Sequence, residues 1–294
     1  MEPRKYALGL LGATLLALGV AALGHAPPRP QPELLMASAG PGVVTARPVR
    51  GKSSAPQVDP RVVHKLGDKT FQLVRTDPVR APGGAREFVL SRAPASQRGD
   101  AVATYEIYLA VLDCKAAGSP AELQNLDAMR PASPDLGALV RIERRLEECA
   151  SLLTDSSLMS GRWLERAAEQ GSVEAMLMYA IDTESIIGNR ANFIREPERV
   201  IEWKRNAMHY LDRAASFGSV DALLGLAHAN EYGVIVKPDP VQAYAYYLAA
   251  AQVAPQVAWN ELLATYASEL SAEQARDARL RSKQVVSRIA SENR

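Results

Sequence analysis

With two cysteines and four histidines in 294 residues, the chain has almost nothing with which to build a zinc site or an iron–sulfur cluster. His25 and His64 stand in the first quarter of the sequence, and His209 and His228 fall in separate helical segments without a third Cys or His partner. No metal ligand is expected. Also missing are a G-x-S-x-G elbow, an H-E-x-x-H pair and a phosphate-cradling glycine loop. Neither catalytic nor cofactor-binding residues are therefore assigned, and no cofactor is expected. Acidic residues at i, i+4 on helices, without a pocket, read as solvated faces and not as general acids.

Long apolar runs are absent but for one. Arg4 and Lys5 precede an apolar stretch from Tyr6 to Gly24, the pattern of a secretory signal. At about 19 residues it is close to the roughly 20 that span a bilayer, so residues 1–26 are expected to be a signal peptide or a membrane anchor. Either way the body is translocated and Arg4 and Lys5 stay in the cytoplasm. The expected location is the periplasm, with a tether to the inner membrane.

The net charge of +1 hides an asymmetry. Residues 29–98 carry 12 Lys/Arg against 5 Asp/Glu, whereas residues 99–294 carry 20 against 27. Prolines are dense from Pro27 to Pro60, so residues 27–98 read as a basic, largely disordered spacer. Within it, Thr70–Arg75 and Arg86–Ser91 lean toward strand, separated by Pro82-Gly83-Gly84, a pattern that suits a small hairpin.

Residues 99–158 form a helical region with the cysteine pair. Cys114 and Cys149 each sit on the apolar stripe of a helix, and in an exported protein they are expected to form one disulfide. A redox-active pair would want a short spacing and a lowered thiol pKa, whereas these lie 35 apart beside Asp113, Glu147 and Glu148.

The body of the chain repeats one phrase three times. It reads Trp163-Leu164-x-x-Ala167-Ala168-x-x-Gly171, then Tyr210-Leu211-x-x-Ala214-Ala215-x-x-Gly218, then Tyr246-Tyr247-x-x-Ala250-Ala251-x-x-Ala254. Self-similarity at such a period marks a helical solenoid. The paired alanines let helices cross closely, with the aromatic three or four residues earlier on the same face. Gly171 and Gly218 suit the left-handed residue that ends a helix, and Ser172 and Ser219 suit the cap of the next. Glu174 and Asp221 then fall in the first turn, where the helix dipole favours them. The step from Gly171 to Gly218 is longer than that from Gly218 to Ala254, which places an insertion at Ile186–Arg199.

This pattern resembles the Sel1-like repeat, a relative of the tetratricopeptide repeat, over residues 159–270. The sequence departs from the family at Asn230, where a Tyr is frequent, and at the turn Gly233-Val234-Ile235-Val236. The resemblance implies an all-α solenoid of αα-hairpins. It also implies a non-enzymatic interaction scaffold that binds a protein or peptide on the face lined by the first helix of each hairpin. The expected contacts are Glu174, Met178, Asp182, Asp221, Gly225 and Ala229, with His228 and Glu231 nearby. Their acidic and apolar mix suits a ligand with basic and apolar groups. The alternative partner is the cell wall, held by the basic spacer and any exposed aromatic residues. Trp163, Trp203, Trp259, Tyr246 and Tyr247 are expected mostly in the core. Residues 271–294 open with the capping box Ser271-Ala272-Glu273-Gln274 and read as a closing helix. Its mixed charge and an exported location exclude nucleic acid as the expected partner.

Overall fold

The computed structural model describes residues 55–122, 124, 136–189 and 191–292. The apolar run at 6–24 and most of the proline-dense stretch lie outside these residues. Among the described residues no helix is long and apolar enough to cross a membrane.

The described chain is mostly helical. It opens with a 3-10 turn at Pro60–Val62 and two short strands, β1 (Val63–Lys65) and β2 (Phe71–Leu73). The strands pair antiparallel with Val63 opposite Leu73 and Lys65 opposite Phe71. Helices α1 (Ala85–Gln97), α2 (Ala101–Ala117) and α3 (Leu136–Leu153) come next, then a short α4 (Ser156–Met159). The repeat region comprises α5 (Trp163–Gln170), α6 (Val173–Ile181), the short α7 (Thr183–Ile186) and α8 (Asn192–Arg195), then α9 (Pro197–Ser216), α10 (Val220–Tyr232), α11 (Pro240–Val253) and α12 (Asn260–Ser268). Helix α13 (Ala272–Glu292) ends the described chain.

Two expectations need correction. Residues 55–98 are not a disordered spacer: Val62, Phe71, Ala85 and Val89 are all buried. Burial of these side chains against the repeats and α2 supplies what proline-rich composition alone could not. Nor does Thr70–Arg75 pair with Arg86–Ser91. The latter lies inside α1, where Ala85 and Val89, one helical turn apart, face α2 and α3. β2 pairs instead with the neighbouring β1.

The repeated phrase occupies α5 and the C-terminal halves of α9 and α11. Ala167, Ala168, Ala214, Ala215 and Ala250 are buried in one continuous core with Leu164, Tyr179, Trp203, Leu211, Leu223 and Tyr247. Ala251 is only half-buried; in the third unit Ala249 takes the inner position. Tyr179 meets Tyr210 edge-to-face at 4.9 Å, and the Trp203 indole N–H donates to the Tyr179 carbonyl at 3.0 Å. Successive helices pack in order, α5 on α6, α6 on α9, α9 on α10 and α10 on α11, with α13 laid against α11. Gly171 (φ 108°) and Gly218 (φ 106°) sit in the left-handed region at the hairpin turns. Ser172 and Ser219 then cap α6 and α10, accepting from the amides of Ala175 (3.1 Å) and Ala222 (3.2 Å). The described part of the insertion comprises the last residue of α7, α8 and the first turn of α9, tied down where Arg199 donates to the Ile186 carbonyl at 2.5 Å.

Cys114 and Cys149 form a disulfide joining α2 to α3, with both residues fully buried among Val111, Ala117 and Leu152.

Candidate interaction groove

Helix ends leave backbone groups without intrahelical partners, and a hairpin turn brings several together. Here residues 57–75 of the same chain run across these turns as a strap. At the first turn the Gln57 amide donates to the Gly171 carbonyl (2.8 Å), and the Val173 amide donates back to the Gln57 carbonyl (2.9 Å). At the equivalent turn of the next unit the Phe71 amide donates to the Gly218 carbonyl at 3.0 Å. Both contacts are parallel β-bridges, Gln57 with Ser172 and Phe71 with Ser219. At the third unit the Thr70 hydroxyl donates to the Val253 carbonyl (2.8 Å) and the Gln256 side-chain amide to the Leu66 carbonyl.

Carboxylates complete the hold. The Leu73 amide donates to Asp221 at 2.7 Å, and Arg75 donates to Glu174 at 2.7 Å. Around Arg75 lies a network in which Asp59 accepts from Arg61 at 2.8 Å, and buried Glu106 on α2 accepts from Arg61 (2.5 Å) and Arg92 (2.9 Å). Burial raises the Asp59 pKa, but the bonds from Arg61 outweigh it and leave the carboxyl below its usual range. For Glu174 and Asp221 the balance is reversed: burial pushes both upward despite the bonds from Arg75 and the Leu73 amide.

The structure divides the expected binding residues into four groups. Glu174 and Asp221 come together, but beneath the strap, so the chain itself already occupies the place given to a partner. Met178, Gly225 and Ala229 are packing positions. Met178 is half-buried against the core, Ala229 is buried, and a Cβ on Gly225 would come within 2.9 Å of the Leu211 side chain. Asp182 accepts from the Tyr108 hydroxyl at 2.6 Å and caps α7 through the Ser185 amide at 3.0 Å. His228 and Glu231 stand apart, near the C-terminal end of α10. There the Tyr247 hydroxyl donates to Glu231 at 2.7 Å, and Tyr266 stacks on Tyr247 at 4.5 Å. Sequence reasoning missed Gln57, Leu73, Arg75 and Tyr266. The β-leaning run at Thr70–Arg75 is the signal that pointed toward the strap.

Open surface remains at the C-terminal ends of α6 and α10, on the insertion and just beyond it on α9. Ile181, Ile194, Ile201 and Tyr232 are 73%, 85%, 65% and 63% exposed. Among the described residues, Asp113, Cys114 and Cys149 are the grouping close enough to hold a metal ion, and both sulfurs are committed to the disulfide.

No protein-family model and no curated protein matches the chain. A solved structure that does match is a protective antigen present in uropathogenic Escherichia coli strains, described as displaying an SLR fold. The two are 16% identical with a TM-score of 0.28, over 71% of this chain and 55% of that one. The chain thus spans little more than half the length of that structure. A likeness at this level carries no argument about what the chain binds.

Proposed function

We propose that the chain is a non-enzymatic Sel1-like scaffold of the bacterial cell envelope, exported to the periplasm and tethered to the inner membrane by its N-terminal segment, and that it binds a protein or peptide across successive repeats. The observation that carries this reading is the strap: an extended segment held by the same turn position in two successive units, through backbone bonds that any polypeptide can make. The strap takes the N-terminal ends of α6 and α10, which leaves the C-terminal ends, with exposed Ile181, His228 and Tyr232, for a partner. The apolar run after Arg4 and Lys5 supports export, and the disulfide is compatible with an oxidising compartment.

The test is photo-crosslinking of the full chain in its native envelope, with the crosslinker placed in turn at Ile181, at Tyr232 and at exposed Leu280 on α13. Adducts to one defined polypeptide from Ile181 and Tyr232, and none from Leu280, are expected. Adducts only to glycan strands would overturn the reading in favour of a wall-binding module.

A further inference from the structure

The last turn of α10 contains a charge that its own helix does not favour. The C-terminal end of a helix carries partial negative charge and prefers cations, yet α10 has no basic residue in its last turn and places Glu231 there. Every ion pair found among the described residues leaves Glu231 out. What surrounds it is aromatic. Tyr247 donates its hydroxyl to the carboxylate at 2.7 Å and meets the Tyr266 hydroxyl at 3.2 Å. The Tyr247 and Tyr266 rings stack at 4.5 Å with 22° between their planes. His228 lies 6.1 Å from the Tyr247 ring and 5.8 Å from that of Tyr232. Tyr247 is buried and fixes the floor, whereas His228 and Tyr232 are exposed and Tyr266 is half-exposed.

Phenol hydroxyls can hydrogen-bond a carboxylate but cannot neutralise it. A cation over the aromatic faces would satisfy both the carboxylate and the negative end of the helix, within the roughly 6 Å over which ring faces attract it. We propose that Glu231, framed by His228, Tyr232, Tyr247 and Tyr266, is a binding site for a cationic side chain, an arginine or lysine of the partner polypeptide. This inference rests on the scaffold reading and names the chemistry that the open end of α10 selects. Packing lowers the His228 pKa, so the imidazole is neutral at pH 7 and does not take the cation's place. Burial raises the pKa values of Tyr247 and Tyr266, which keeps their hydroxyls protonated as donors.

The test uses the full chain and two probes, acetyl-arginine amide and its uncharged isostere acetyl-citrulline amide, read by the ring resonances of Tyr232, Tyr266 and His228. Arginine should shift these resonances saturably, and citrulline should not. Glu231→Gln keeps an acceptor for the Tyr247 hydroxyl and should weaken arginine binding about tenfold, as expected for loss of a charge-assisted contact. Tyr232→Ala, at an exposed position, should weaken it as well without altering the helical circular dichroism. Equal responses to both probes, or full binding by Glu231→Gln, would overturn the site. Photo-crosslinking from Ile181 in the Glu231→Gln chain separates the two ideas. A retained partner adduct with no arginine response in the wild type sinks the cation site alone, and no adduct from either chain sinks the scaffold reading.

Discussion

Phe71→Ala should release the strap and leave the repeats standing. Phe71 is 8% exposed and meets Phe217 edge-to-face at 6.0 Å, so its ring is the largest apolar anchor of β2 on the repeat core. Truncating a buried Phe to Ala costs about 3–5 kcal/mol. The lower end applies here, because a two-stranded ribbon at the edge of a core can relax. Against that loss stand the Phe71 amide bond to Gly218 and the Leu73 amide bond to Asp221. The first is worth about 1 kcal/mol net, and the second somewhat more because its acceptor is charged. A loss of about 3 kcal/mol corresponds to roughly a hundredfold change in the opening equilibrium. Hydrogen exchange resolved by residue is the assay. The amides of Leu73 and of Val74, which donates to the Val62 carbonyl at 2.8 Å, should exchange about a hundredfold faster. The Val173 amide, held by Gln57 beside the Asp59–Arg61–Glu106 ion pairs, should change less, and Leu226 inside α10 hardly at all. Uniform acceleration across α6, α9 and α10 would refute the idea that the strap opens on its own. Unchanged exchange at Leu73 would refute the ring's role as anchor.

Other expectations come from single contacts. Asp221→Ala removes the acceptor for the Leu73 amide and should cost roughly 1.5–3 kcal/mol in urea unfolding at pH 7, whereas Asp221→Asn keeps an acceptor, sheds a desolvated charge and should cost less. Because burial raises the Asp221 pKa, the folded state holds that proton more tightly than the unfolded chain. Its contribution to stability therefore grows as pH falls toward the ordinary value of 3.8 and is absent well above the raised one. Asp221→Asn should lack this contribution when unfolding is compared between pH 7 and pH 4. Replacing Cys114 and Cys149 by Ser opens a loop with a sequence separation of 35 and should cost roughly 3–4 kcal/mol, seen as a lower melting temperature that reductant no longer affects. A Cβ at Gly218 (φ 106°) would stand 2.0 Å from the Lys69 carbonyl oxygen, whereas one at Gly99 (φ 94°) meets nothing within 4 Å. Both Ala variants bear the left-handed backbone cost of about 1–2 kcal/mol. Only Gly218→Ala also collides with the strap, so its excess loss should shrink in a Phe71→Ala background.

The repeats could be read from the sequence because their determinants are local and periodic. An alanine pair, an aromatic three or four residues before it, and a Gly-Ser turn after it can be aligned by eye, and the structure buries Ala167, Ala168, Ala214 and Ala215 as that pattern requires. The pairing of Cys114 with Cys149 could be read for the same reason, from two apolar helical stripes. The strap could not. Its strands are three residues long, and its partners lie 115 and 148 positions away at Ser172 and Ser219. Proline density and basic charge argue for a solvated linker until something is shown to cover Phe71 and pair Arg75. That the strap covers part of the candidate surface was hidden for a related reason. Glu174 and Asp221 have the composition of an acidic contact face, and nothing in their own helices says that residues 71–75 already lie on them.

The same offset that relates Glu174 to Asp221 relates Gly171 to Gly218, and this explains what the groove can and cannot select. At each turn the strap uses a carbonyl just past the end of one helix, and in the first unit it also uses the amide that begins the next. These are the groups that any helix leaves unpaired, so every unit of this kind offers them whatever its side chains. Contacts of this type read a backbone and are nearly blind to sequence, and they add to the hold that buried Phe71, Leu66 and Val62 give the strap. Selectivity must then come from side chains that the strap does not use. Among the predicted contact residues, Glu231 is the carboxylate framed by open aromatic rings, and it lies away from the strap at the opposite end of α10 from Asp221. A partner that joined this surface would thus gain hold from the repeated turns only by displacing the strap, but discrimination from the aromatic carboxylate site without displacing it. Mutations in the two places should therefore separate: Phe71→Ala should change how much of the partner binds, and Glu231→Gln should change which partner binds.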